Sequence, residues 1–508
     1  MRKAARIAYD FSYSGYATGI RLPPRVHTLP IFNVTEYGAV ANDGLDDVAA
    51  IQSAVDAAEA AGGGIVKFPK GTFDFALPGN NNFVKVKSSN IILQGYGEGN
   101  DGTFLIDHYP STSEDENKKW LSGEFPAFFK ISAFTNKETP LVSSERMLAQ
   151  VGPAKQGSLK ITLKSGADKI EPGNIYLLTM QESSDTSLTY MLYYPQRKLA
   201  KNIISMDGDD VYKFRQYIKV LSKNGNELTL EQPLCIALNT KWQPTIWRAD
   251  SLLEQVGVEN FRMISRFDEE FVHHLNSVHD NGHDHIKLNG VYNSWVRNTV
   301  HINPSTAVGL INAVNCVVYD CRIEGKMGHN GFLISGISTG NLFFNLLGGN
   351  HLHTFSLNGY ASGNTFHKCY SGQPSAIDCH GVRGVNNLFD GINGAVLRSG
   401  GSDDNAPPHH ARGLTIWNWR PGLTEPYKNI IYPIMEKTSN YPSALFVGIN
   451  GLLDQKIYFR TVKGVLQKDF NDGYAKALHL NHNGALALPS LFLWQRSKRF
   501  KGADMLFE

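Results

Sequence analysis

Five segments share the pattern that predicts the architecture of this chain: VYNSWVRNTVHIN (291–303), AVNCVVYDCRIEG (313–325), STGNLFFNLLGGN (338–350), ASGNTFHKCYSG (361–372) and GVNNLFDGINGA (384–395). Each contains an asparagine between two short β-type runs, at intervals of 22, 26, 23 and 23 residues: Asn293, Asn315, Asn341, Asn364 and Asn387. A period in the low twenties leaves no room for a helix inside it. It therefore predicts one coil per repeat in a solenoid of parallel strands.

Asparagine suits the recurring position for two physical reasons. It tolerates the left-handed backbone conformation that a tight corner needs. Its side-chain amide can also hydrogen-bond to the same side chain in the next coil, which would form a ladder along the solenoid. A solenoid presents a long flat face, and such a face suits an extended polymer as the bound molecule.

The bulk composition excludes several classes of function. The 508 residues include 49 Lys and Arg against 47 Asp and Glu, a formal net charge of +2. This balance argues against nucleic acid as a partner and against a basic membrane-binding surface. No run of about 18 apolar residues occurs, so we expect no membrane-spanning segment.

Residues 1–19 bear on the compartment of the protein. The N-terminal stretch is basic but lacks an apolar signal core, so we expect a secreted or periplasmic protein whose signal precedes this numbering. A cytoplasmic location is the alternative.

The five cysteines form no metal-type cluster: Cys235, Cys316, Cys321, Cys369 and Cys379. We expect the four within the repeats to fill the interiors of coils.

Residues 32–73, FNVTEYGAVANDGLDDVAAIQSAVDAAEAAGGGIVKFPKGTF, read as strand, helix, glycine stop and strand. A short amphipathic helix here could cover the open end of a solenoid. The stretch resembles the opening of the pectate-lyase-like superfamily of right-handed parallel β-helix proteins. That resemblance implies an all-β, right-handed parallel β-helix with an N-terminal capping helix. It does not imply one reaction, because the superfamily includes lyases, hydrolases and phage tailspikes.

Breaks in the repeat predict how the chain is divided. The pattern YIKVLSKNGNELTLEQPL (217–234), with its Asn-Gly hairpin turn, is typical of antiparallel strands and indicates a β-rich insertion. We expect five regions: an N-terminal extension (1–30), a cap with the first coils (31–106), the insertion (107–255), coils carrying the active face (256–425) and a C-terminal region (426–508).

Aligning the coils on the turn that follows each strand predicts two columns of outward-facing side chains. One column contains Asn289, Asn312, Ser335, Asn358 and His380. The column two residues earlier contains Lys287, Leu310, Leu333, Ser356 and Asp378. Thirteen of the 17 histidines lie between residues 273 and 410, several of them beside these columns. Histidine moves protons near neutral pH, so this enrichment favours proton-transfer chemistry.

Two reactions fit these candidates. In β-elimination on a uronate polymer, His380 or His353 would be the base, Lys287, Arg383 or Arg398 would neutralise the carboxylate, and Tyr360 would donate a proton. In hydrolysis, Asp378 would act with a second carboxylate. Candidates for that second group are Glu324, Asp390, Asp403 and Asp404.

The balance of histidines to carboxylates favours elimination, and the chain departs from the patterns of both known branches. The polygalacturonase branch of the superfamily carries the series NTD, DD, GHG and RIK, whereas this chain has only DCHG (378–381) with Arg383 nearby. The calcium-ligand pattern of pectate lyases is also not evident. We expect no cofactor, with a divalent cation as an open alternative: His279, His283 and His285, together with Asp280 and Asp284, could offer ligands but match no known motif.

The sequence therefore predicts a polysaccharide-degrading enzyme, with a lyase favoured over a glycoside hydrolase. A non-catalytic glycan-binding or tailspike-like protein is the third alternative. The expected partner is a polysaccharide or oligosaccharide, and the oligomeric state stays open. Residues 400–413 would form a wall of the cleft. The expected substrate-binding residues are Asn358, Asn289, His329, His351, Tyr360, His410 and Trp417.

Overall fold

The structure is a computed structural model of the chain. It describes residues 8–77, 82–110, 128–134, 142–194, 199, 201–372, 375–380, 383–398, 408–421, 429–432, 441–450, 456–460, 466–467, 471–472, 477–481 and 483–501. For residues 201–202, 396, 398, 429–432 and the described residues between 456 and 479, only the backbone is described.

Where the structure describes it, the first half of the chain contains thirteen strands and three α-helices. The N-terminal elements are β1 (Ile31–Asn33), α1 (Val48–Ala60), β2 (Gly64–Lys67), β3 (Gly71–Phe75), β4 (Val84–Val86), β5 (Ile91–Gln94), β6 (Thr103–Asp107) and β7 (Phe129–Ser132). There follow β8 (Met147–Val151), β9 (Lys160–Ser165), β10 (Ile175–Met180), α2 (Ser187–Tyr193), α3 (Lys201–Ile204), β11 (Phe214–Asn224), β12 (Glu227–Leu230) and β13 (Thr245–Arg248).

The second half contains the regular repeats. Its elements up to residue 347 are β14 (Leu253–Glu254), β15 (Gly257–Ser265), α4 (Ser277–Asn281), β16 (Asp284–Asn289), β17 (Val291–Tyr292), β18 (Trp295–Ile302), β19 (Thr306–Ile311), β20 (Val317–Glu324), β21 (Asn330–Ser335) and β22 (Leu342–Leu347). Those up to residue 421 are β23 (His353–Leu357), β24 (Thr365–Tyr370), β25 (Ala376–Cys379), β26 (Leu388–Asp390), β27 (Asn393–Gly394), β28 (Val396–Arg398), β29 (Thr415–Trp417) and β30 (Arg420–Pro421). The last are β31 (Asn429–Tyr432), β32 (Leu445–Val447), β33 (Lys456–Arg460), β34 (Leu466–Gln467), β35 (Asn471–Asp472), β36 (Ala477–Leu480) and α5 (Leu491–Arg499).

Two long sheets and a narrow third side build the coils. In sheet A, β15, β18, β20, β22, β24, β26, β29, β32 and β36 pair in parallel, one coil after the next. In sheet B, the parallel order is β4, β7, β16, β19, β21, β23, β25 and β28. The third side is the β14–β17 pair, continued by single bridges through Val314 and Thr339. Sequential strands that stack in register define a parallel β-helix, so the predicted fold is confirmed.

The asparagine recurrence consists of two adjacent columns. Asn341, Asn364 and Asn387 form a buried ladder: each side-chain amide donates to the next side-chain oxygen, at 2.9 and 3.1 Å. His410, one period after Asn387, ends the ladder through its Nε2 at 2.9 Å. Asn293 and Asn315 instead occupy the preceding corner, where the backbone is left-handed. The corner column is Asn293, Asn315, Gly340, Gly363 and Asn386, with φ values of 46°, 52°, 68°, 68° and 52°.

The ladder predicts a large stability effect for Asn364. Its Oδ1 accepts from the backbone and side chain of Asn341, and its Nδ2 donates to the Ser338 carbonyl and to Asn387. Asn364→Ala would leave several buried polar groups without partners. We expect it to lower the free energy of unfolding by about 3 kcal/mol, measured by denaturant titration. Asn226→Ala, in an exposed turn, is the matched control and should stay near wild type; equal stability of the two variants would contradict the ladder.

Apolar and sulfur-containing side chains fill the interior between the sheets. Stacked phenylalanines run along it, with ring centroids 4.9 Å apart from Phe343 to Phe366 and from Phe366 to Phe389. All five cysteines are buried and unpaired by disulfides. The four in the repeats lie in this core, which confirms the prediction that they fill coil interiors: Cys316, Cys321, Cys369 and Cys379.

The insertion is a closed antiparallel barrel. Its six strands pair in the order β10, β11, β12, β9, β8 and β13, and β13 closes back onto β10. The barrel spans fewer residues than the predicted insertion (107–255). It begins at β8, because β7 belongs to sheet B. Tyr217 and Trp247 of the barrel pack with Tyr292 and Val314 of the third side, which fixes the barrel beside the coils.

Residues 8–19 and helix α5, near the two ends of the chain, cover the outer surface of sheet A. Gly15 donates its N–H to the Gly340 carbonyl (2.8 Å), and the Ser14 hydroxyl donates to the Gly363 carbonyl (3.0 Å). In α5, Arg499 donates to the carbonyls of Ser12 and Thr18 at 2.8 and 2.7 Å. The 1–30 extension is thus part of the fold where it is described, and sheet A continues into the predicted C-terminal region through β32 and β36. No described helix has the length and apolar character needed to cross a membrane.

Candidate active site on sheet B

The register of sheet B brings one residue of each strand into a continuous column, which we call the sheet B column. These residues lie side by side on consecutive strands: Lys85, Lys130, Lys287, Gly309, Leu333, Ser356, Asp378 and Arg398. The sequence alignment predicted Leu310 between Lys287 and Leu333 in this column, but Leu310 points into the core. Gly309 occupies that position instead. The column changes from cationic at β4, β7 and β16 to an anionic group at β25.

Asp378 joins two histidines at the anionic end of the column. Its Oδ2 lies 2.9 Å from Nδ1 of His380 and 3.5 Å from Nδ1 of His353. Asp378 is fully buried and the His353 side chain is only 5% exposed, whereas that of His380 is 28% exposed. Of the three, His380 is therefore the group that a bound molecule reaches most readily.

The Asp378–His380 contact perturbs both groups. Burial alone would lower the pKa of His380, but the hydrogen bond to Asp378 and its negative charge outweigh burial and raise it above the ordinary value. Burial would raise the pKa of Asp378, yet the hydrogen bond from His380 and the nearby His353 lower it. Asp378 therefore stays ionised and holds His380 with Nδ1–H pointing towards it. Nε2 is then the nitrogen that can accept a proton from outside.

A row of histidines extends from this group towards one edge of sheet B. The ring centroid of His329 lies 5.4 Å from that of His353, and His273 lies 5.1 Å from His329. His273 and His274 belong to segment 266–282, which includes α4 and packs along this edge through Phe271 on His329. Burial and the neighbouring His353 and His273 lower the pKa of His329 well below its ordinary value.

At the opposite edge, residues of the insertion contact Tyr360 and Arg383 of the coils. Arg383 forms an ion pair with Asp210 at 2.6 Å and donates to the hydroxyl of Tyr360. That hydroxyl donates to the Tyr212 carbonyl at 3.1 Å. The guanidinium of Arg215 lies 4.7 Å from the centre of the Tyr360 ring, with Arg383 at 5.3 Å. The sheet B column is thus bordered by a histidine-rich segment on one side and by an arginine–tyrosine cluster on the other.

Some predicted site residues lie elsewhere along the column. Lys287 is separated from Asp378 by four strand spacings, about 19 Å, and its Nζ is bound to Asp284 at 2.6 Å. Asn289 is equally distant and accepts from the Asn312 amide at 3.0 Å. Asn358, by contrast, directly follows β23, and the N–H of His380 donates to the carbonyl of the preceding Leu357 at 2.7 Å. The Arg398 backbone pairs with Asp378, but its side chain lies outside the described residues, as do residues 399–407 of the predicted cleft wall.

Three predicted substrate-binding residues are buried and serve the fold instead. His351 bonds through Nε2 to the Pro304 carbonyl at 2.9 Å, and burial lowers its pKa to about 4. His410 ends the asparagine ladder, and burial likewise lowers its pKa to about 4. Trp417 lies on sheet A, where its Nε1 donates to the Leu488 carbonyl at 2.8 Å. These positions correct the prediction, since a glycan on sheet B cannot reach them.

The cation ligands suggested by the sequence do not converge. His279 contacts Glu269 (3.2 Å), His283 contacts Asp107 (2.7 Å), and His285 contacts His301 (3.0 Å). The structure instead brings together His273, His274 and His329, which sequence reasoning missed as a group. The signal was present in the adjacent pair His273-His274, but only the folded path of segment 266–282 places it beside His329.

Sequence models of two families match parts of the chain. The family described as Rhamnogalacturonase A/epimerase, pectate lyase-like, matches residues 31–121. A domain of unknown function, DUF4955, matches residues 349–477. The first match covers the capping helix and the opening strands, and the second covers the coils that contain His353, Asp378 and His380.

Individual relatives are similar over short stretches or in fold. The mannuronan C5-epimerases AlgE3 and AlgE6 of Azotobacter vinelandii are 39% identical over 80 residues and 38% identical over 77 residues. Each matched stretch is 15% of this chain. It is only 4% of the length of AlgE3 and 9% of the length of AlgE6. Among solved structures, the tailspike gp61 of Pseudomonas phage phi297 is 11% identical with a TM-score of 0.48, over 91% of this chain and 69% of that one.

Proposed function

We propose that this chain, which has the right-handed parallel β-helix of the pectate-lyase-like superfamily, is a polysaccharide lyase. Its substrate would be a uronate-containing glycan cleaved by β-elimination. The observation that carries the proposal is the Asp378–His380 pair on the outer surface of sheet B, with His353 against the same carboxylate. A glycan lying along sheet B would pass between segment 266–282 and the barrel.

His380 is the proposed base. It would remove the proton beside the uronate carboxylate through Nε2, while Asp378 holds Nδ1–H and stabilises the imidazolium that forms. The electron pair left by the C–H bond would form the new double bond and expel the glycosidic oxygen at the next carbon. Asp378 supports this role best as a fixed anion, because its lowered pKa keeps it from donating a proton at neutral pH.

The arginine–tyrosine cluster supplies the other two requirements of the reaction. Abstraction of the proton places negative charge on the uronate carboxylate, which a nearby cation or strong donor must stabilise. Arg383 provides a guanidinium that can pair with a carboxylate in two parallel hydrogen bonds. The Tyr360 hydroxyl is the proposed proton donor to the leaving oxygen.

Hydrolysis fits the described residues less well. It requires two carboxyl groups roughly 5–9.5 Å apart on either side of the scissile bond. The described strands of sheet B contain two carboxylates, Asp284 and Asp378. Four strand spacings, about 19 Å, separate the coils that hold them, and Asp284 is bound to Lys287.

C5-epimerisation is the second candidate, favoured by the stretches similar to the two mannuronan C5-epimerases. It begins with the same proton abstraction, so His380 and Asp378 would keep their roles. The reactions differ in the second step: the epimerase returns a proton to the opposite side of the sugar ring, whereas the lyase expels the neighbouring oxygen.

A glycan screen tests the proposed reaction. Purified protein is incubated with alginates, pectins, glycosaminoglycans and neutral glycans, and ultraviolet absorbance, reducing ends and uronate composition are measured. A lyase produces absorbance and reducing ends together on a uronate glycan. Reducing ends without absorbance would indicate a hydrolase, a changed uronate composition without cleavage an epimerase, and binding alone a tailspike-like or carbohydrate-binding protein.

Arg383→Gln tests the proposed carboxylate contact. We expect KM for the uronate substrate to rise about tenfold or more, since a hydrogen bond to a charged group contributes about 1.5–3 kcal/mol. The fall in kcat/KM should be larger on the acidic polymer than on its methyl-esterified form. Arg322→Gln, at a partly buried arginine on sheet A that pairs with Glu98 and Glu324, is the matched control. The contact would be wrong if both variants had wild-type KM.

A further inference from the structure

We propose that His273, His274 and His329 form a binding site for a first-row transition-metal ion of the Zn²⁺ type. Each residue offers one ring nitrogen, and the three nitrogens lie within 4.8 Å of one another. Tetrahedral Zn²⁺ with Zn–N bonds of about 2.0–2.1 Å holds its ligands about 3.4 Å apart. Rotation of the His273 side chain, which is exposed at the surface, can bring the three nitrogens to the shorter separation that the ion requires.

Asp280 orients two of the three rings for coordination. Its Oδ2 lies 2.9 Å from Nδ1 of His274, and its backbone carbonyl lies 3.1 Å from Nδ1 of His329. In both rings Nδ1–H then donates to oxygen, so Nε2 carries the lone pair that a metal needs. A carboxylate or carbonyl behind a histidine is the arrangement that typically supports metal-ligating imidazoles.

The remaining contacts fix this arrangement. The other oxygen of Asp280, Oδ1, accepts from the backbone N–H of His274 at 3.0 Å, and the carboxylate is fully buried. His274 itself has a left-handed backbone, with φ of 59°, so the loop is held in a conformation that non-glycine residues rarely adopt. Phe271 stacks on the His329 ring with centroids 6.2 Å apart, which limits the movement of that ring.

Three imidazoles favour a transition metal over Ca²⁺ or Mg²⁺, which prefer oxygen ligands. They also leave a fourth position of a tetrahedral ion for water or a substrate oxygen, as in catalytic zinc sites. The His273 ring lies 5.5 Å from the His353 ring, so this position is close to the Asp378–His380 group. Ion binding is independent of the proposed lyase reaction, whereas a role for the ion in holding the uronate carboxylate rests on it.

Metal titration tests the site directly. Tag-free protein is dialysed against a chelator, titrated with ZnCl₂ by calorimetry, and assayed for bound zinc by mass spectrometry. We expect one ion per chain. His273→Ala, His274→Asn and His329→Ala should each weaken binding by more than tenfold, and Asp280→Asn should weaken it by about 10–100-fold. The exposed His273 makes its variant decisive even if a buried substitution unfolds the protein.

Two control variants separate the possible outcomes. His108→Ala removes a carboxylate-paired histidine outside the cluster and should leave zinc affinity unchanged. His380→Ala should also retain the ion while losing turnover, so that failure of the metal site and failure of the proposed reaction are distinguishable. Absence of a stoichiometric ion, or unchanged affinity in the His273 and His274 variants, would overturn the site. Full turnover without metal would overturn only its catalytic role.

Discussion

Replacement of His380 by alanine is expected to lower kcat on the uronate substrate by about 10³-fold, within the 10²–10⁴-fold contribution of a positioned acid or base. The side chain is the most accessible member of the Asp378–His380–His353 group, and its removal leaves no imidazole Nε2 at that position. Substrate binding should change little, because Arg383 and Asn358 stay in place. The measurement is initial rate against substrate concentration, read by ultraviolet absorbance.

His108→Ala is the matched control for the loss of a carboxylate-bound imidazole. His108 pairs with Asp74 at 2.5 Å, and the coil that contains it is separated from β25 by those of β15, β18, β20 and β22. We expect its kcat to stay within about twofold of wild type. If His380→Ala retained full activity while the protein stayed folded, His380 would not be the base.

Asp378→Asn is expected to lower kcat by about 10³-fold or more and to move the pH profile. An amide cannot supply the negative charge that stabilises the imidazolium, and it can hold the wrong tautomer of His380. In the wild type the base acts in its neutral form, so the rate rises with pH through the raised pKa of His380. In Asp378→Asn the charge that raises the pKa of His380 is gone, and burial, which lowers this pKa, remains. The rising limb of the pH–rate profile therefore moves to lower pH.

Ser356→Ala is the control for the pH experiment. Ser356 lies beside Asp378 in the sheet B column and is buried to the same extent, but it carries no charge. The rising limb of the pH–rate profile of Ser356→Ala should coincide with that of the wild type. A limb that stays in place in Asp378→Asn would mean that Asp378 does not set the pKa of the catalytic base.

The sequence predicted the fold from local regularity. The asparagine period required a coil without a helix, and the stretch 32–73 predicted the capping helix α1. The alignment nevertheless combined two columns, because Asn293 and Asn315 at the left-handed corner resemble Asn341 in the buried ladder. Both positions favour asparagine, one for its backbone and the other for its side chain. Only the pairing of Val317 with Leu342 separates them.

The candidate site was predictable where it follows the repeat. Asp378 lies in β25 and His380 directly follows that strand, so their spacing of two residues predicts that both lie on one side of sheet B. Lys287 belongs to the same column, but four strand spacings separate it from Asp378, which the number of coils already implied. The burial of Trp417 under residues near the C-terminus could not be predicted, since it depends on contacts between distant parts of the chain. The position of His273 in an irregular loop was equally inaccessible.

The decisive measurement is the mass of the product formed in heavy-oxygen water. β-Elimination breaks the glycosidic bond without adding water, so we expect a product that carries a double bond and no solvent oxygen. The same product should be absent with His380→Ala. Incorporation of one heavy oxygen at the new reducing end, with no double bond, would identify hydrolysis and contradict the role proposed for the Asp378–His380 pair.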